Sequence, residues 1–140
     1  MEDFVVKKRI AIKAQPLEVW DALINPDKTR KYFFGFRALS DWKVGSSVTF
    51  KGKIFLIKKV ELIGQVKIFE PLKILQYTLR NGNSENFSTV TDELSYENEE
   101  TILSVSDDVG TGKDAEKRYK RSDKAWDHVL KKLKEFLENR

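Results

Sequence analysis

The sequence predicts an α+β fold in which an antiparallel β-sheet packs against one long C-terminal helix. Alternating apolar and polar residues, typical of strands, recur between Ser46 and Asp107 with turn-like segments between them. An apolar stripe at three- and four-residue steps then runs from Ala115 to Leu137, as on a helix with one buried face. With 140 residues and no repeat or linker, the chain is expected to form a single domain over residues 1–140.

The N-terminal part predicts one strand and two short helices. Residues 3–13 alternate apolar side chains on one face, which is a strand pattern. Pro16 suits the first turn of a helix, where a missing backbone N–H costs nothing. Asn25 can cap a second helix that begins at Pro26 and ends at Gly35.

The middle of the chain predicts an antiparallel meander that leads into the long helix. Segment 51–57, KGKIFLI, leaves its register open, because either of two pairs of apolar residues could face inward. The long helix is predicted from Lys113 to Glu138. The strands are predicted over residues 46–50, 58–69, 73–79, 88–96 and 101–107.

Four segments carry a resemblance to a known superfamily. They are PLEVWDALINPDKTRKYFFG, EPLKILQYTL, STVTDELSYENEETILSVSDD and AWDHVLKKLKEFLE. In this order they resemble the START-like, or SRPBCC, superfamily, most closely the branch related to the C-terminal domain of the activator of the heat shock protein 90 ATPase. The resemblance implies a helix-grip fold: a curved antiparallel sheet of about six or seven strands wrapped around the C-terminal helix, with two short helices after strand one.

The resemblance also implies a hydrophobic cavity between helix and sheet, usually for a small or lipid-like molecule, and no universal catalytic residue. The expected function is therefore non-catalytic binding of a small hydrophobic molecule that carries a polar group. One alternative is a protein-interaction module that stimulates the heat shock protein 90 ATPase, with a chaperone as partner. A cyclase- or dehydratase-type enzyme is a further alternative, because a fold alone does not define a function.

The composition argues against several classes of site. The chain has no cysteine, so disulfides, thiolate metal sites and cysteine nucleophiles are excluded. His128 is the only histidine, and its helical position turns it away from the apolar stripe toward solvent. No phosphate-binding glycine motif or nucleophile motif occurs. We therefore expect no catalytic triad, no bound metal and no cofactor.

Charge and hydropathy bear on partners and location. The net charge of +4 could favour nucleic acid, but acidic residues are interleaved with the basic ones along the C-terminal helix. We expect no nucleic-acid partner. Nothing approaches the roughly 20 apolar residues of a membrane span, and the N-terminus lacks a secretory signal. The expected location is cytoplasmic, and the sequence does not predict an oligomeric state.

Two carboxylates are the most informative candidates. If ENEE, residues 97–100, forms a hairpin turn, Asp92 pairs with Val105 and Val90 with Asp107. Both acids then face the helix as a diagonal pair roughly 7 to 8 Å apart, which could anchor a polar ligand group. A bulge near Thr91 would instead return Asp92 to solvent, and the residues leave both possibilities open. For Asp107, at a strand end, exposure is the favoured interpretation.

The chain contains more aromatic residues than a simple core of this size needs, although each one taken alone could be core. Hydroxyl groups among them would need partners if buried, and a cavity supplies such partners. Lys8, Tyr77 or Tyr119 could meet the Asp92 carboxylate. The predicted ligand-binding residues are Phe33, Phe36, Trp42, Phe50, Tyr77, Asp92, Tyr96, Asp107, Tyr119, Ser122 and Trp126.

Overall fold

The structure, a computed structural model, describes residues 4–54, 58–81 and 86–139. Its elements follow the order strand, two short helices, six strands and one long helix. They are β1 (Val5–Ile12), α1 (Pro16–Ile24), α2 (Pro26–Tyr32), β2 (Arg37–Ser40), β3 (Ser47–Ile54), β4 (Lys58–Glu70), β5 (Ile74–Asn81), β6 (Ser88–Glu97), β7 (Glu100–Asp108) and α3 (Ala115–Glu138).

In the part of the chain that the structure describes, seven strands form one curved antiparallel sheet in the order β1-β7-β6-β5-β4-β3-β2. Only the pairing of β1 with β7 joins strands that are distant in sequence. The β6–β7 hairpin has the predicted register, with Asp92 opposite Val105 and Val90 opposite Asp107. The predicted α+β class, the two short helices and the long C-terminal helix are confirmed.

The sheet departs from regular pairing where β4 meets β5. The register shifts between Val66 and Ile68, which marks a bulge. Nearby, a Cβ atom added to Gly64 would lie 1.6 Å from the backbone oxygen of Thr78. Glycine is therefore required here, because the two strands approach too closely for any side chain.

The two short helices are fixed by local chemistry. Pro16 and Pro26 each occupy the first turn of a helix, and the Asn25 side chain accepts a hydrogen bond from the backbone N–H of Asp27 at 3.0 Å. The buried Thr29 hydroxyl of α2 accepts a hydrogen bond from the backbone N–H of Ala38 at 2.9 Å. This bond holds β2 against α2 at one edge of the sheet.

Helix α3 packs its apolar stripe against the concave face of the sheet. Trp126, Val129, Leu130, Leu133 and Leu137 are all buried. The first half of α3 is polar on the side that faces β1, because the Lys8 ammonium binds Asp123 and Asp127 at 2.8 and 2.9 Å. Lys8 thus faces α3, as strand alternation predicts.

The structure corrects two details of the sequence prediction and defines part of a third that the sequence left open. The short strand β2 was not predicted, since four residues carry too little periodic signal. Helix α3 begins at Ala115 rather than Lys113, because Asp114 adopts a left-handed backbone conformation that a helix cannot contain. The register of segment 51–57 is defined up to Ile54, and residues 55–57 lie outside the described residues.

We expect Leu133→Ala to lower the free energy of unfolding by about 2 to 5 kcal/mol, because it leaves a cavity where Leu133 is 1 % exposed. Lys131→Ala, on the exposed side of the same helix, should change it by less than about 0.5 kcal/mol. Urea unfolding monitored by circular dichroism measures both values. Similar losses from the two variants would contradict the assignment of this part of α3 to the core.

Candidate functional site

A cavity of about 520 Å³ lies between the N-terminal half of α3 and the strands β5, β6 and β7. From α3 it is lined by side chains at three- and four-residue steps, so one helical face looks into it. The cavity continues to the loop after α2. Its lining consists of Phe33, Phe34, Leu62, Leu79, Arg80, Asn81, Asn86, Ser88, Val90, Asp107, Val109, Arg118, Arg121, Ser122, Ala125, Trp126 and Val129.

The cavity has an apolar floor and a polar rim. The buried lining residues, which form the floor, are apolar except for Asp107. Exposed lining residues, among them Phe34, Asn81, Asn86 and Arg121, mark the rim. Phe34 is 50 % exposed and stacks on the imidazole of His128, with ring centroids 4.9 Å apart. This division suits a molecule with an apolar body and polar groups.

Asp107 is the polar group of the floor, and two side chains of α3 hold it. The Ser122 hydroxyl donates to its Oδ2 at 2.6 Å, and the Trp126 indole N–H donates to the same oxygen at 3.0 Å. The residue is 6 % exposed, which corrects the expectation of exposure at a strand end. Its Oδ1 is buried and has no hydrogen-bond partner in the described part of the chain. A buried carboxylate oxygen without a donor is costly, so this group has unused capacity to accept a hydrogen bond.

The environment of Asp107 favours its neutral form. Burial raises the pKa of the carboxyl group above its ordinary value of 3.8, and the hydrogen-bonding groups of Ser122, Trp126 and Ser88 oppose that shift. The neighbouring charge of Asp108 raises the pKa further. The balance is a carboxyl group that binds a proton more readily than a solvated aspartate does.

Asp92 lies deeper, beside a second and much smaller void of about 10 Å³. This volume is at the lower limit for a single water molecule. Tyr32, Tyr77 and Phe50 line the void with Asp92, while Phe33, Trp126 and Val129 line both spaces. Asp92 is 3 % exposed, so the alternative in which a bulge turns it to solvent is wrong.

Asp92 is the more strongly perturbed acid. Burial, and next the charge of Asp107, raise its pKa from 3.8 to about 7. Its Oδ1 has no hydrogen-bond partner among the described residues. Burial also raises the pKa values of Tyr32 and Tyr77 well above 10.0, and the nearby Asp92 charge adds to both shifts. A proton therefore resides at Asp92 in a large fraction of molecules at neutral pH.

Seven of the eleven predicted ligand-binding residues lie at these two spaces. Phe33 and Trp126 line both of them. Asp107 and Ser122 lie at the larger cavity. Phe50, Tyr77 and Asp92 lie at the small void.

The other four predicted residues lie elsewhere, and each placement has a local cause. Phe36 covers Gly52, where an added Cβ would lie 2.8 Å from its ring. The ring of Trp42 stacks on Phe69.

Tyr96 and Tyr119 lie toward the β1 side of the molecule and line neither of the two spaces. Tyr96 is 45 % exposed at the hairpin end, where its hydroxyl accepts a hydrogen bond from Gln15 Nε2 at 3.1 Å. Tyr119 lies on the side of α3 that faces β1, with its ring 6.2 Å from Phe4. Neither Tyr119 nor Lys8 meets Asp92: Lys8 is two strands away and binds acids of α3 instead.

Sequence reasoning missed the arginines of the cavity. Arg118 and Arg121 share a helical face with Ser122 and Ala125, and this spacing is readable from the sequence. The signal was hidden because neighbouring lysines and acids give the whole segment the pattern of a solvated helix. In residues 4–54, 58–81 and 86–139, no cluster of three or more His, Cys, Asp or Glu could hold a metal ion. Within the same ranges, no helix has the length and apolar character to cross a membrane.

A curved antiparallel sheet that grips a long C-terminal helix, with a cavity between them, defines a START-like domain. The chain belongs to the family described as activator of Hsp90 ATPase homolog 1-like protein, whose model matches residues 13–138. The comparison with curated proteins gave no match.

Solved structures with the same fold include a protein from Cytophaga hutchinsonii, determined in solution. It is 32 % identical, has a TM-score of 0.80, and the match covers 99 % of this chain and 97 % of that one. The Aha1 dimer from Colwellia psychrerythraea is 19 % identical over 96 % of each chain, with a TM-score of 0.73. DynU16, from the dynemicin biosynthetic locus, is 20 % identical with a TM-score of 0.81, over 98 % of this chain and 48 % of that one.

The raised pKa of Asp92 predicts how stability depends on pH. The folded state binds this proton more tightly than the unfolded chain, so the stabilisation is complete below pH 3.8 and is lost as the pH rises through about 7. The loss amounts to roughly 4 kcal/mol, at about 1.4 kcal/mol for each pKa unit. Asp92→Asn, which mimics the neutral acid, should therefore flatten the decline of unfolding free energy between about pH 4 and pH 8.

Urea unfolding at several pH values measures how steeply the unfolding free energy falls with pH in the unmodified protein and in Asp92→Asn. A smaller decline of the unfolding free energy with pH should remain in Asp92→Asn, because the pKa of Asp107 is raised as well. The matched control is Glu93→Gln, which makes the same chemical change at the next, exposed position of β6. Equal slopes in Asp92→Asn and the unmodified protein would contradict the burial of an ionisable Asp92.

Proposed function

We propose that this domain binds a small hydrophobic or lipid-like molecule that carries a hydrogen-bond donor, in the cavity between α3 and the sheet, without covalent chemistry. The observation that carries the proposal is the cavity of about 520 Å³, with one polar group, Asp107, in an apolar floor. Ligand sites in proteins commonly measure roughly 300–1,000 Å³ and combine apolar walls with a few placed polar groups.

Affinity would come from the apolar walls. Phe33, Leu79, Val90 and Trp126 present aromatic and aliphatic surface to the cavity. Removing apolar ligand surface from water contributes roughly 25 cal/mol for each Å² that is buried. Such walls bind many apolar molecules and discriminate weakly among them. Selectivity must therefore come from the polar groups.

Ser122 is the polar group that a ligand can reach. Its hydroxyl hydrogen is used by Asp107, so the lone pairs of its oxygen remain available to accept a hydrogen bond. The carboxylate polarises this hydroxyl and strengthens it as an acceptor. The same carboxyl group keeps a second, buried oxygen, Oδ1, that has no donor among the described residues. A hydroxyl or amide of the ligand would satisfy this arrangement.

A binding role fits the cavity better than an enzymatic one. His128 is exposed and stacks on Phe34 at the rim, and it is not among the residues that line the cavity. Oδ2 of Asp107 is occupied by two donors and Oδ1 is buried, which leaves the carboxylate poorly placed to take a proton from a substrate. An acid–base enzyme would have to rely on Asp92, which lies behind Phe33 and Trp126.

A second candidate is a co-chaperone role, favoured by the description of the family as Hsp90 ATPase activator homologues. The measurement is the Hsp90 ATPase rate with and without this domain. A rate increase that persists in a variant with a filled cavity would support this role as separate from ligand binding.

The proposal predicts that dodecanol binds in the cavity and that Ala125→Phe, which fills the space beside Trp126, abolishes binding. Trp126 lines the cavity, so its fluorescence reports occupancy, and isothermal titration calorimetry gives the affinity. Ser122→Ala should weaken dodecanol about fivefold to tenfold, the equivalent of about 1 kcal/mol for one hydrogen bond. Native mass spectrometry of the freshly purified protein would identify a natural occupant.

Two controls accompany these variants. Lys124→Phe adds the same ring at the preceding, exposed position of α3 and should leave the affinity unchanged. The methyl ether of dodecanol lacks a donor, so Ser122→Ala should not weaken its binding. Equal binding of dodecanol by Ala125→Phe and Lys124→Phe would show that the molecule occupies another surface.

A further inference from the structure

The charged groups of the cavity wall are unbalanced. Two arginines of α3, Arg118 and Arg121, line the cavity, and Asp107 is the only carboxylate among its described lining residues. The carboxylate of Asp107 is already engaged by the Ser122 hydroxyl and the Trp126 indole N–H. The wall therefore has an excess of positive charge beside an apolar floor.

Arg118 is held in place at the wall by groups that carry no net charge. One of its terminal nitrogens donates to the backbone oxygen of Val109, and the other donates to those of Thr111 and Lys113, each at 3.1 Å. Its Nε is buried and has no partner in the part of the chain that the structure describes. Backbone oxygens orient the guanidinium but do not neutralise it, so a full positive charge is fixed at the cavity.

Arg121 lies almost one helical turn further along α3, at the rim. It is exposed, and among the described residues no carboxylate lies within ion-pair distance of it. The nearest acids of the helix are engaged elsewhere. Glu116 binds Lys120 at 3.3 Å, and Asp123 binds Lys8 at 2.8 Å.

The surrounding sequence extends this positive field. Residues 113–124 contain six basic and three acidic side chains. A cleft lined by one sign of charge within a low-dielectric wall concentrates counter-ions and steers them inward. Such a field attracts anions and repels cations at the entrance of the cavity.

We propose that the occupant of the cavity is an amphipathic anion, with a carboxylate or phosphate monoester group at Arg118 and Arg121 and an apolar body on the floor that presents its hydrogen-bond donor to Ser122. Guanidinium groups suit both head groups because they donate parallel hydrogen bonds to two oxygens. This inference rests on the proposed ligand-binding function and names the chemical class of the ligand.

The test compares probes with one chain length and different head groups: dodecanoate, dodecyl phosphate, dodecanol and dodecylammonium. Isothermal titration calorimetry is done below the micelle concentration, at a pH where the acids are ionised and the amine is protonated. We expect the two anions to bind more tightly than dodecanol, and dodecylammonium to bind most weakly. Added salt should weaken the anions and leave dodecanol unchanged.

Arg121→Gln provides the residue-level test, because an exposed arginine can be replaced without disturbing the loop that Arg118 holds. It should weaken dodecanoate about twofold to fivefold, in the range of an exposed ion pair, and leave dodecanol unchanged. Lys124→Gln removes the same charge from an exposed position of α3 outside the lining and should have no such effect. The preferred anion distinguishes a carboxylate ligand from a phosphate ligand.

The remaining outcomes separate this inference from the function on which it rests. If dodecanol or dodecylammonium binds as tightly as the anions, and Ala125→Phe abolishes that binding, the cavity is a ligand site but the anion assignment is wrong. If Arg121→Gln and Lys124→Gln weaken dodecanoate equally, the attraction is a general effect of net charge and the site at Arg121 is wrong. If none of the four probes binds, the proposed function itself fails.

Discussion

The contact between Asp107 and α3 is the interaction on which the rest of the site depends. Ser122 and Trp126 reach across from the helix to one carboxylate oxygen of β7, and this bond sets the depth at which the first half of α3 lies over the sheet. Further along α3 the packing is apolar, with Leu130, Leu133 and Leu137 buried. The helix is therefore fixed by apolar burial at one end and by a polar contact at the other. The cavity surrounds the polar contact, and the small void beside Asp92 lies between that contact and the apolar end.

The two buried carboxyl groups have different environments and different consequences. Asp107 keeps two donors and faces the larger cavity, so its charge can be shared with Ser122 and sensed by a ligand. Asp92 lies beside a void of about 10 Å³ among Tyr32, Tyr77 and Phe50, and its pKa is raised to about 7. Each negative charge disfavours the other, because a second charge in a poorly solvated space is costly. Replacing such polar groups by apolar ones often stabilises a protein, so both acids are expected to cost stability, and the proposed ligand site gives a role to Asp107 alone.

The strands, helices and register could be predicted from the sequence more completely than the burial and partners of the side chains. Period-two alternation and the turn at residues 97–100 were sufficient to pair Asp92 with Val105, because register depends on local pattern. The burial of Asp107 could not be predicted, since it depends on which residues of α3 lie across the strand end. Tyr96 shares the face of Asp92 but lies at the hairpin end, where its hydroxyl meets Gln15 rather than α3. Arg118 has the same sequence context as the solvated lysines near it, and only its contacts with the loop carbonyls distinguish it.

The central claim is that two carboxyl groups are kept in a poorly solvated space under α3. Titration of the side-chain carboxyl carbons of Asp92 and Asp107 by ¹³C NMR tests it most directly, with Asp92→Asn and Asp107→Asn to assign the signals. We expect the pair to titrate in two steps, both above the ordinary value of 3.8, with the upper step at about 7 and dominated by Asp92. The indole N–H signal of Trp126 should shift with the step dominated by Asp107, because it donates to that carboxylate. Titration of both groups near 3.8, with no response from Trp126, would contradict the account.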